Sequence, residues 1–251
     1  MTAFHLPRRA LVLALTLSAG LLGALLPLAG QAASIRGSGN RVSEPRQLPD
    51  FQAIALAGAM DLAVRQGAVQ AVQVQADDNL LPLLETVVET GTNGPTLMVR
   101  WKKGQSIQHS GKVLVSVTVP RLVAVGASGS GDVKVEAFNT PSLQISLSGS
   151  GDARLDKLST EDLGIRLAGS GDVSGNGRAI RVKLSIAGSG DVRLADLGAD
   201  EVSIKIAGSG NAAINAQKKL DISIAGSGDV SYTGNAAVTM SSAGSGRVTK
   251  R

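Results

Sequence analysis

The tripeptide Gly-Ser-Gly recurs through the second half of the chain, and its spacing constrains the fold more than any other feature. The copies begin at Gly129, Gly149, Gly169, Gly188, Gly208, Gly226 and Gly244. The intervals between them are 20, 20, 19, 20, 18 and 18 residues. Self-similarity at a short, nearly fixed period is typical of stacked supersecondary units, because such units bury their apolar faces only against their neighbours.

Apolar side chains alternate with other residues before each tripeptide. Aliphatic residues stand six, four and two positions before the first glycine: Leu143, Ile145, Leu147, Leu163, Ile165, Leu167, Val182, Leu184, Ile186, Val202, Ile204 and Ile206 are examples. The intervening positions, such as Lys183, Ser185 and Lys205, are mostly polar. A period of two predicts a strand with one buried face and one face toward water. The alternation resumes after the tripeptide, so each period predicts a strand, a corner, a second strand and a looser return loop.

The corner itself is built from small residues. The position before the first glycine is always Ser or Ala, which is the size that fits where equivalent bends lie above one another. Glycine also permits the positive φ angles that a tight corner needs. Successive periods can then pair in parallel at about 4.8 Å. The predicted fold is all-β: a single parallel β-solenoid, or β-helix, whose rungs (complete coils) repeat every 18 to 20 residues with Gly-Ser-Gly corners.

Residues 1–33 have the pattern of a signal peptide. Arg8 and Arg9 precede an apolar run from Ala10 to Ala29, and small residues around Gly30 to Ala33 offer a cleavage site. The pattern predicts export to the periplasm, the outer surface or the medium. An uncleaved anchor is the alternative, because the run approaches the ~20 residues that a bilayer needs. The pair of arginines is only a weak twin-arginine signal.

Composition excludes several functional classes. Arg8 and Arg9 are the only charged residues before residue 34, so the remainder has 23 basic and 20 acidic residues and a net charge of +3. This small excess forms no Lys/Arg cluster that would indicate nucleic acid. The chain has no cysteine, so it has no disulfide, thiol chemistry or lipoprotein anchor. Membrane contact is expected only through the cleaved signal peptide.

The segment before the regular repeats divides into an arm and degenerate rungs. We predict that residues 34–49 form an extended N-terminal arm along the first coil. We predict that residues 50–251 form the solenoid domain. Residues 54–64 resemble the later repeats, so we predict that they form the first rung. Asp77, Asp78 and Asn79 are interpreted as the cap of a short helix near residues 78–89. Such a helix would cover the open end of the solenoid.

The opposite end has no later covering element. If Val248 and Thr249 form the last strand, its outer edge needs protection or a partner. Arg247, Lys250 and Arg251 supply charge that can protect it. The alternative hypothesis is a homo-oligomer formed through the terminal rung.

Several motifs together resemble the bacterial head GIN domain family, labelled "putative auto-transporter adhesin". They are Asp50-Phe51 with Ile54, Gln66-Gly67, Ala76-Asp77-Asp78-Asn79-Leu80-Leu81, Glu85-Thr86, Val117-Thr118-Val119-Pro120 with Leu122, and the Gly-Ser-Gly-Asp repeats. The match runs in the same order over roughly residues 36 to 249. The resemblance implies an exported β-solenoid with no established catalytic residues.

An acidic residue follows five of the seven corners, and Asn211 and Arg247 stand at the equivalent position of the other two. We call this set the Asp column: Asp132, Asp152, Asp172, Asp191, Asn211, Asp229 and Arg247. Stacking would bring like charges to within ~5 Å, where they repel by ~1 kcal/mol per pair in water. One interpretation is structural: each Asp accepts backbone N–H groups at its own corner, and Lys134, Arg154 and Arg193 supply counter-charge. The other is a calcium ladder, but one acid per rung, interrupted by Asn211 and Arg247, argues against it.

Enzymatic motifs are missing from the sequence. His5 lies in the predicted signal peptide, and His109 lies in a polar loop typical of an exposed bystander. There is no nucleophile elbow, Walker loop or His/Cys metal spacing. A polysaccharide lyase or glycosidase could use the Asp column, yet only Trp101 and Tyr232 could stack on sugar. We therefore assign no catalytic, cofactor-binding or metal residue and expect no cofactor.

The sequence thus predicts an exported, non-catalytic envelope protein. It would act as an adhesin-like binding or scaffolding module that presents repetitive faces to a cell-surface or polymeric ligand. A polysaccharide-acting β-helix enzyme and a calcium-stabilised structural spacer are the alternative functions.

Overall fold

The computed structural model describes residues 34–108 and 111–251, which are nearly all β-structure. The predicted signal peptide and His109 lie outside these described residues. No helix in the described part is long and apolar enough to cross a membrane. The strands in chain order are β1 (Ile35–Arg36), β2 (Arg41–Arg46), β3 (Ala53–Ala57), β4 (Met60–Gln66), β5 (Ala71–Asp77), β6 (Leu84–Gly91), β7 (Gly94–Trp101), β8 (Ile107–Gln108), β9 (Val113–Val119), β10 (Ala124–Gly129), β11 (Val133–Glu136), β12 (Asn139–Gly149), β13 (Ala153–Gly169), β14 (Val173–Gly188), β15 (Val192–Gly208), β16 (Ala212–Gly226), β17 (Val230–Thr233), β18 (Ala237–Gly244) and β19 (Val248–Lys250).

The repeats stack in parallel and in register. The first glycine of each corner pairs with the first glycine of the next, from Gly149 on Gly169 to Gly226 on Gly244. The predicted parallel β-solenoid is therefore confirmed. In-register stacking follows from the period-two pattern, because a slip by one residue would turn every apolar side chain outward.

The interior is one continuous aliphatic core. Equivalent side chains from successive rungs lie in columns, and all are at most 5% exposed: Leu143, Ile145, Leu147, Leu163, Ile165, Leu167, Val182, Leu184, Ile186, Val202, Ile204, Ile206, Leu220, Ile222 and Ile224. Burying one such side chain stabilises a fold by ~1.5–3 kcal/mol. The core is thus the main favourable contribution that each rung makes.

The predicted return loop is wrong, because the return segment is also strand. β13 runs from Ala153 to Gly169 with a register shift between Leu155 and Leu158. Inward residues are separated by three positions instead of two at Leu155/Leu158 and at Thr160/Leu163, which places two further bends in the coil. The Thr160 hydroxyl lies 3.2 Å from two backbone carbonyl oxygens at the second bend, those of Pro141 and Asp162.

The first rungs do not stack in chain order. Residues 54–64 form a rung as predicted, through β3 and β4, and this rung pairs in parallel with β10 and β11 on one side. On its other side it pairs in parallel with β7 and β9, which come later in the chain. The rung predicted to be first is therefore the second in space. Sequence order does not reveal this, because both neighbours present the same alternating pattern.

The predicted capping helix near residues 78–89 is wrong. A single 3-10 turn covers Leu81–Leu83, and the chain then continues as β6, which pairs antiparallel with β7. β-branched residues such as Val87 and Val88 favour a strand over a helix. Leu80, Leu81 and Leu84 are still buried, as the apolar pattern required.

Antiparallel strands cover this end of the solenoid instead. β5 pairs antiparallel with β9, and β2 from the N-terminal arm pairs antiparallel with β5. Asp78 accepts hydrogen bonds from the Ser38 hydroxyl at 2.5 Å and from the Asn40 amide at 2.8 Å, which hold its pKa below the usual range. Asn79 donates to the Arg36 carbonyl at 2.9 Å. The residues predicted to cap a helix therefore hold the arm.

The terminal rung exposes the other end of the core. Val238 and Met240, which belong to the inward columns, are 39% and 45% exposed. β18 pairs with β16 along one edge, and no other described strand pairs with it. Both hypotheses for this end, charge protection and a homo-oligomer, stay predictions.

Two glycines of each corner are required for different reasons. Gly169 has φ +131°, a backbone conformation that side chains strongly disfavour. At Gly171 the constraint is space, because a Cβ would lie 2.0 Å from the carbonyl oxygen of Gly151 in the preceding rung. Glycine is therefore the residue that lets neighbouring corners approach to hydrogen-bonding distance.

Replacing Gly171 by Ala should destabilise the fold by ~3 kcal/mol, because overpacking against backbone has no flexible neighbour to relieve it. Gly198→Ala is the matched control, since nothing lies within 4 Å of a Cβ at that site. Urea denaturation followed by far-UV circular dichroism would measure both. Equal stability of the two variants would contradict the stacked-corner geometry.

Candidate functional site

The Asp column forms a continuous hydrogen-bonded ladder from one rung to the next. Each member donates its backbone N–H to the Oδ1 atom of the member before it, and Asp61 begins the series. The distances are 2.9 Å (Asp132 to Asp61), 3.2 Å (Asp152 to Asp132), 2.8 Å (Asp172 to Asp152), 2.9 Å (Asp191 to Asp172), 3.0 Å (Asn211 to Asp191), 2.9 Å (Asp229 to Asn211) and 2.8 Å (Arg247 to Asp229).

This ladder corrects the prediction that each Asp serves its own corner. The acceptor oxygen reaches the next rung, because in-register stacking places the following N–H directly above it. Only an oxygen at Oδ1 is needed, so Asn211 continues the series without interruption. Arg247 donates the last such bond from its N–H to Asp229, but its side chain has no acceptor that could continue the ladder.

Cations offset the repulsion between stacked carboxylates at two points. Lys112 lies 3.4 Å from Asp61 and 3.1 Å from Asp132, and Arg193 lies 2.9 Å from Asp172 and 3.3 Å from Asp191. The predicted role of Arg193 is therefore confirmed.

Lys134 and Arg154 do not pair with the Asp column, and that prediction is wrong. They form ion pairs with Glu136 and Asp156, which lie two residues further along the same strands. Burial acts to raise the pKa of Asp132, but the Asp152 N–H and the Lys112 ammonium outweigh it and place that pKa below the usual range.

The ladder leaves little capacity for chemistry. In each acid that continues it, Oδ1 is already bonded to backbone. No group of three His, Cys, Asp or Glu side chains in the described residues is arranged to hold a metal ion. The arrangement supports the structural interpretation of the Asp column rather than a calcium ladder or a pair of catalytic acids.

A separate groove lies on what we call the pre-corner face, the outward side of the strand segments that precede each corner. It is an open groove of about 1240 Å³ that spans β7, β3, β10 and β12 to β15. Typical small-molecule pockets hold ~300–1,000 Å³. The tip of the hairpin between β6 and β7 stands at one end, where the Gln52 amide donates to the Asn93 carbonyl at 3.1 Å.

Small residues form the floor of the groove, so the floor lies close to the backbone of the sheet. Ala53 and Ala124 point outward, yet they are only 2% and 7% exposed because neighbouring groups shield them. Ala55 and Gly126 continue this floor along the next column. The Gln144 side chain covers Gly164 so closely that a Cβ there would lie 2.0 Å from its Oε1 atom.

Cations line the other end of the groove. Arg166, Lys183 and Lys205 are exposed, and none forms an ion pair in the described part of the chain. Arg181, by contrast, binds Asp162 through two contacts of 2.6 Å. The hydrogen bond from Arg181 lowers the pKa of Asp162 and keeps that carboxylate charged.

Sequence analysis did not identify this groove. The small outward residues that form the floor lie in the degenerate rungs, where the alternating pattern offers no comparison between copies. The first strand of the hairpin at one end, β6, overlaps the segment predicted to form the capping helix. The three cations were visible only as ordinary polar positions of the repeat.

The ladder predicts opposite outcomes for two substitutions of Asp152. Asp152→Ala should lower the free energy of unfolding by about 1 kcal/mol, because the Asp172 N–H loses its acceptor. Asp152→Asn should be nearly neutral, since it keeps the oxygen as Asn211 does. Thermal and urea unfolding would measure both. Unchanged stability in the Ala variant, with a hydrolytic activity lost in both, would instead identify a catalytic acid.

Comparisons with known proteins agree with this architecture. Among solved structures, the chain is similar to a "putative adhesin" from Bacteroides fragilis, with TM-score 0.79, 23% identity, and coverage of 87% of this chain and 100% of that one. It is also similar to a "putative lipid binding protein" from Parabacteroides distasonis, with TM-score 0.72, 26% identity, and coverage of 87% and 99%. A "putative adhesin" from Parabacteroides merdae has TM-score 0.66, 24% identity, and coverage of 87% and 99%.

No protein of curated function matches the chain. A family model described as "putative auto-transporter adhesin, head GIN domain" matches residues 50–236. This match covers most of the sequence, from the degenerate rungs through β17, and leaves out β2 and the terminal repeat. The chain therefore belongs to the head GIN domain family.

Proposed function

We propose that this protein is an exported, non-catalytic binding module of the cell envelope that recognises its ligand through the pre-corner face. The proposal rests on the observation that different polar residues serve different purposes. Most carboxylates of the Asp column are engaged in holding rungs together, whereas Arg166, Lys183 and Lys205 of the groove form no ion pair in the described part of the chain.

The relatives support a binding role. Two of the similar structures are named as adhesins and one as a lipid-binding protein, and all of these names describe binding rather than turnover. A rigid solenoid suits this role, because its outer faces hold side chains at fixed spacing without a conformational cost on binding. The polysaccharide-acting enzyme is less favoured, since the acids it would use are committed to backbone N–H groups.

Export is part of the proposal. The charged start, apolar run and small residues of positions 1–33 support a signal peptide. The absence of cysteine throughout the chain removes any dependence on the redox state of the compartment.

A sedimentation experiment with envelope fractions tests the proposed function. The purified protein should be retained saturably by isolated envelope from its own source and should release no reducing sugar. Ser185→Gln combined with Ser203→Gln adds neutral bulk inside the groove and should reduce retention several-fold. Ser223→Gln combined with Ser241→Gln adds the same bulk on the same face outside the groove and should leave retention unchanged.

Three results would overturn the proposal. Retention of nothing from any envelope fraction would remove the binding role. Steady release of reducing sugar would identify an enzyme. An equal loss of retention in both double variants would mean that the groove is not the recognition surface.

A further inference from the structure

The groove has two chemically different halves along the solenoid axis. One column of outward residues runs through Met98, Ala55, Gly126, Ser146 and Arg166, one residue per rung, and continues to Ser185 and Lys205. Four strand spacings separate Met98 from Arg166, a distance of ~19 Å. All charged residues that line the groove belong to the Arg166 half.

The half near the hairpin is uncharged, and its floor is made of small and aliphatic residues. Its floor includes Ala53, Ala55, Met98, Ala124 and Gly126, the uncharged Thr92, Asn93 and Thr96 of the hairpin stand beside them, and no charged side chain lines this half. Neither Trp101 nor Tyr232 lines the groove, so no aromatic ring is available there to stack on a sugar. A floor of small and aliphatic residues without aromatic rings fits a flexible hydrocarbon chain better than a glycan.

The other half presents three cations at fixed separations. Arg166 and Lys205 lie two rungs apart in one column, which is ~9.6 Å between backbones. Lys183 lies on the intervening rung, two residues away along its strand. Two nearby acids form ion pairs, Asp162 with Arg181 and Asp221 with Lys219 at 2.7 Å, and Glu201 lies in register with both of those cations. Arg166, Arg181, Lys183 and Lys205 line this half together with a single acid, Asp162, so the lining has a net positive charge.

We propose that the groove binds an anionic amphiphile, with its hydrocarbon chain on the apolar floor and its phosphate-type head group among Arg166, Lys183 and Lys205. This inference rests on the proposed binding function and names the ligand class for its site. Guanidinium and ammonium groups are the side chains that best bind phosphate oxygens. Burial of the chain adds affinity in proportion to the apolar area it covers.

Isothermal titration calorimetry with three probes separates the two halves. Dodecyl phosphate below its micellar concentration carries both features, inorganic phosphate carries only the head group, and dodecyl maltoside carries only the chain. The wild-type protein should bind dodecyl phosphate at least about tenfold more tightly than either other probe, because only this probe satisfies both halves. Its affinity should fall as salt is added.

Matched variants test the cationic half. The triple variant Arg166→Gln, Lys183→Gln, Lys205→Gln should bind dodecyl phosphate about tenfold more weakly, since it loses the charge-assisted contacts. The control Lys102→Gln, Lys103→Gln, Arg121→Gln removes the same charge from exposed positions outside the groove and should bind like the wild type.

A filled floor tests the apolar half. Gly126→Leu adds a side chain where a Cβ would approach no atom closer than 4.0 Å, so the fold should tolerate it while the chain is displaced. Its affinity for dodecyl phosphate should fall to that for inorganic phosphate. Ala55→Leu is a second variant of the same design, and the thermal midpoint of each variant shows whether it is folded.

Several outcomes would overturn this inference. They are no binding of dodecyl phosphate, equal binding of dodecyl phosphate and inorganic phosphate, equal binding of dodecyl phosphate and dodecyl maltoside, or an equal loss in the control triple variant. Binding of an acidic polysaccharide such as polygalacturonate in place of dodecyl phosphate would also overturn it. If envelope fractions retain the protein through the groove while dodecyl phosphate does not bind, the proposed function stands and only the ligand class is wrong.

Discussion

Close approach of glycine backbones at the corners is the constraint on which the rest of the structure depends. In the stacked corners the Ser N–H of one rung donates to the first-glycine carbonyl of the rung before, for example Ser170 to Gly149 at 2.9 Å. A side chain at Gly171 would occupy the space of a backbone oxygen. Because the corners can touch, the strands on both sides remain in register. The aliphatic columns and the Asp column are both consequences of that register.

The same register separates residues that build the fold from residues that are available for binding. Inward side chains form the core, and the acids after the corners link successive rungs through their Oδ1 atoms. Outward residues before the corners belong to neither of these two sets. The groove arises where small residues among them lie beside cations. Recognition in this protein is therefore a property of the irregular positions of a regular scaffold.

The regular part of the fold could be predicted from sequence, whereas the irregular part could not. The period-two pattern and the glycine corners were sufficient for the strands, their faces and the parallel stack. The pattern could not show that β7 and β9 stack outside β3 and β4, because any alternating pair of strands satisfies the same pairing rules. It also suggested a helix after Asn79, where the β-branched Val87 and Val88 form a hairpin strand instead. The structural role of the Asp column could be predicted from sequence. The hydrogen bond from each Oδ1 atom to the next rung could not, because it depends on how the rungs stack in three dimensions. The groove depends on both missed features and was not predictable.

The most direct test of the stacked register is an engineered disulfide, and the chain has no cysteine to interfere. Ala168 and Ala187 are exposed partners on adjacent rungs, and Ala207 follows one rung later. Partner Cα atoms lie ~4.8 Å apart, within the range for a disulfide, whereas two rungs separate them by ~9.6 Å. The double variant Ala168→Cys, Ala187→Cys should oxidise to an intramolecular disulfide, and Ala168→Cys, Ala207→Cys should not. Mass spectrometry of the oxidised proteins would decide, and efficient cross-linking of the second pair but not the first would contradict the account.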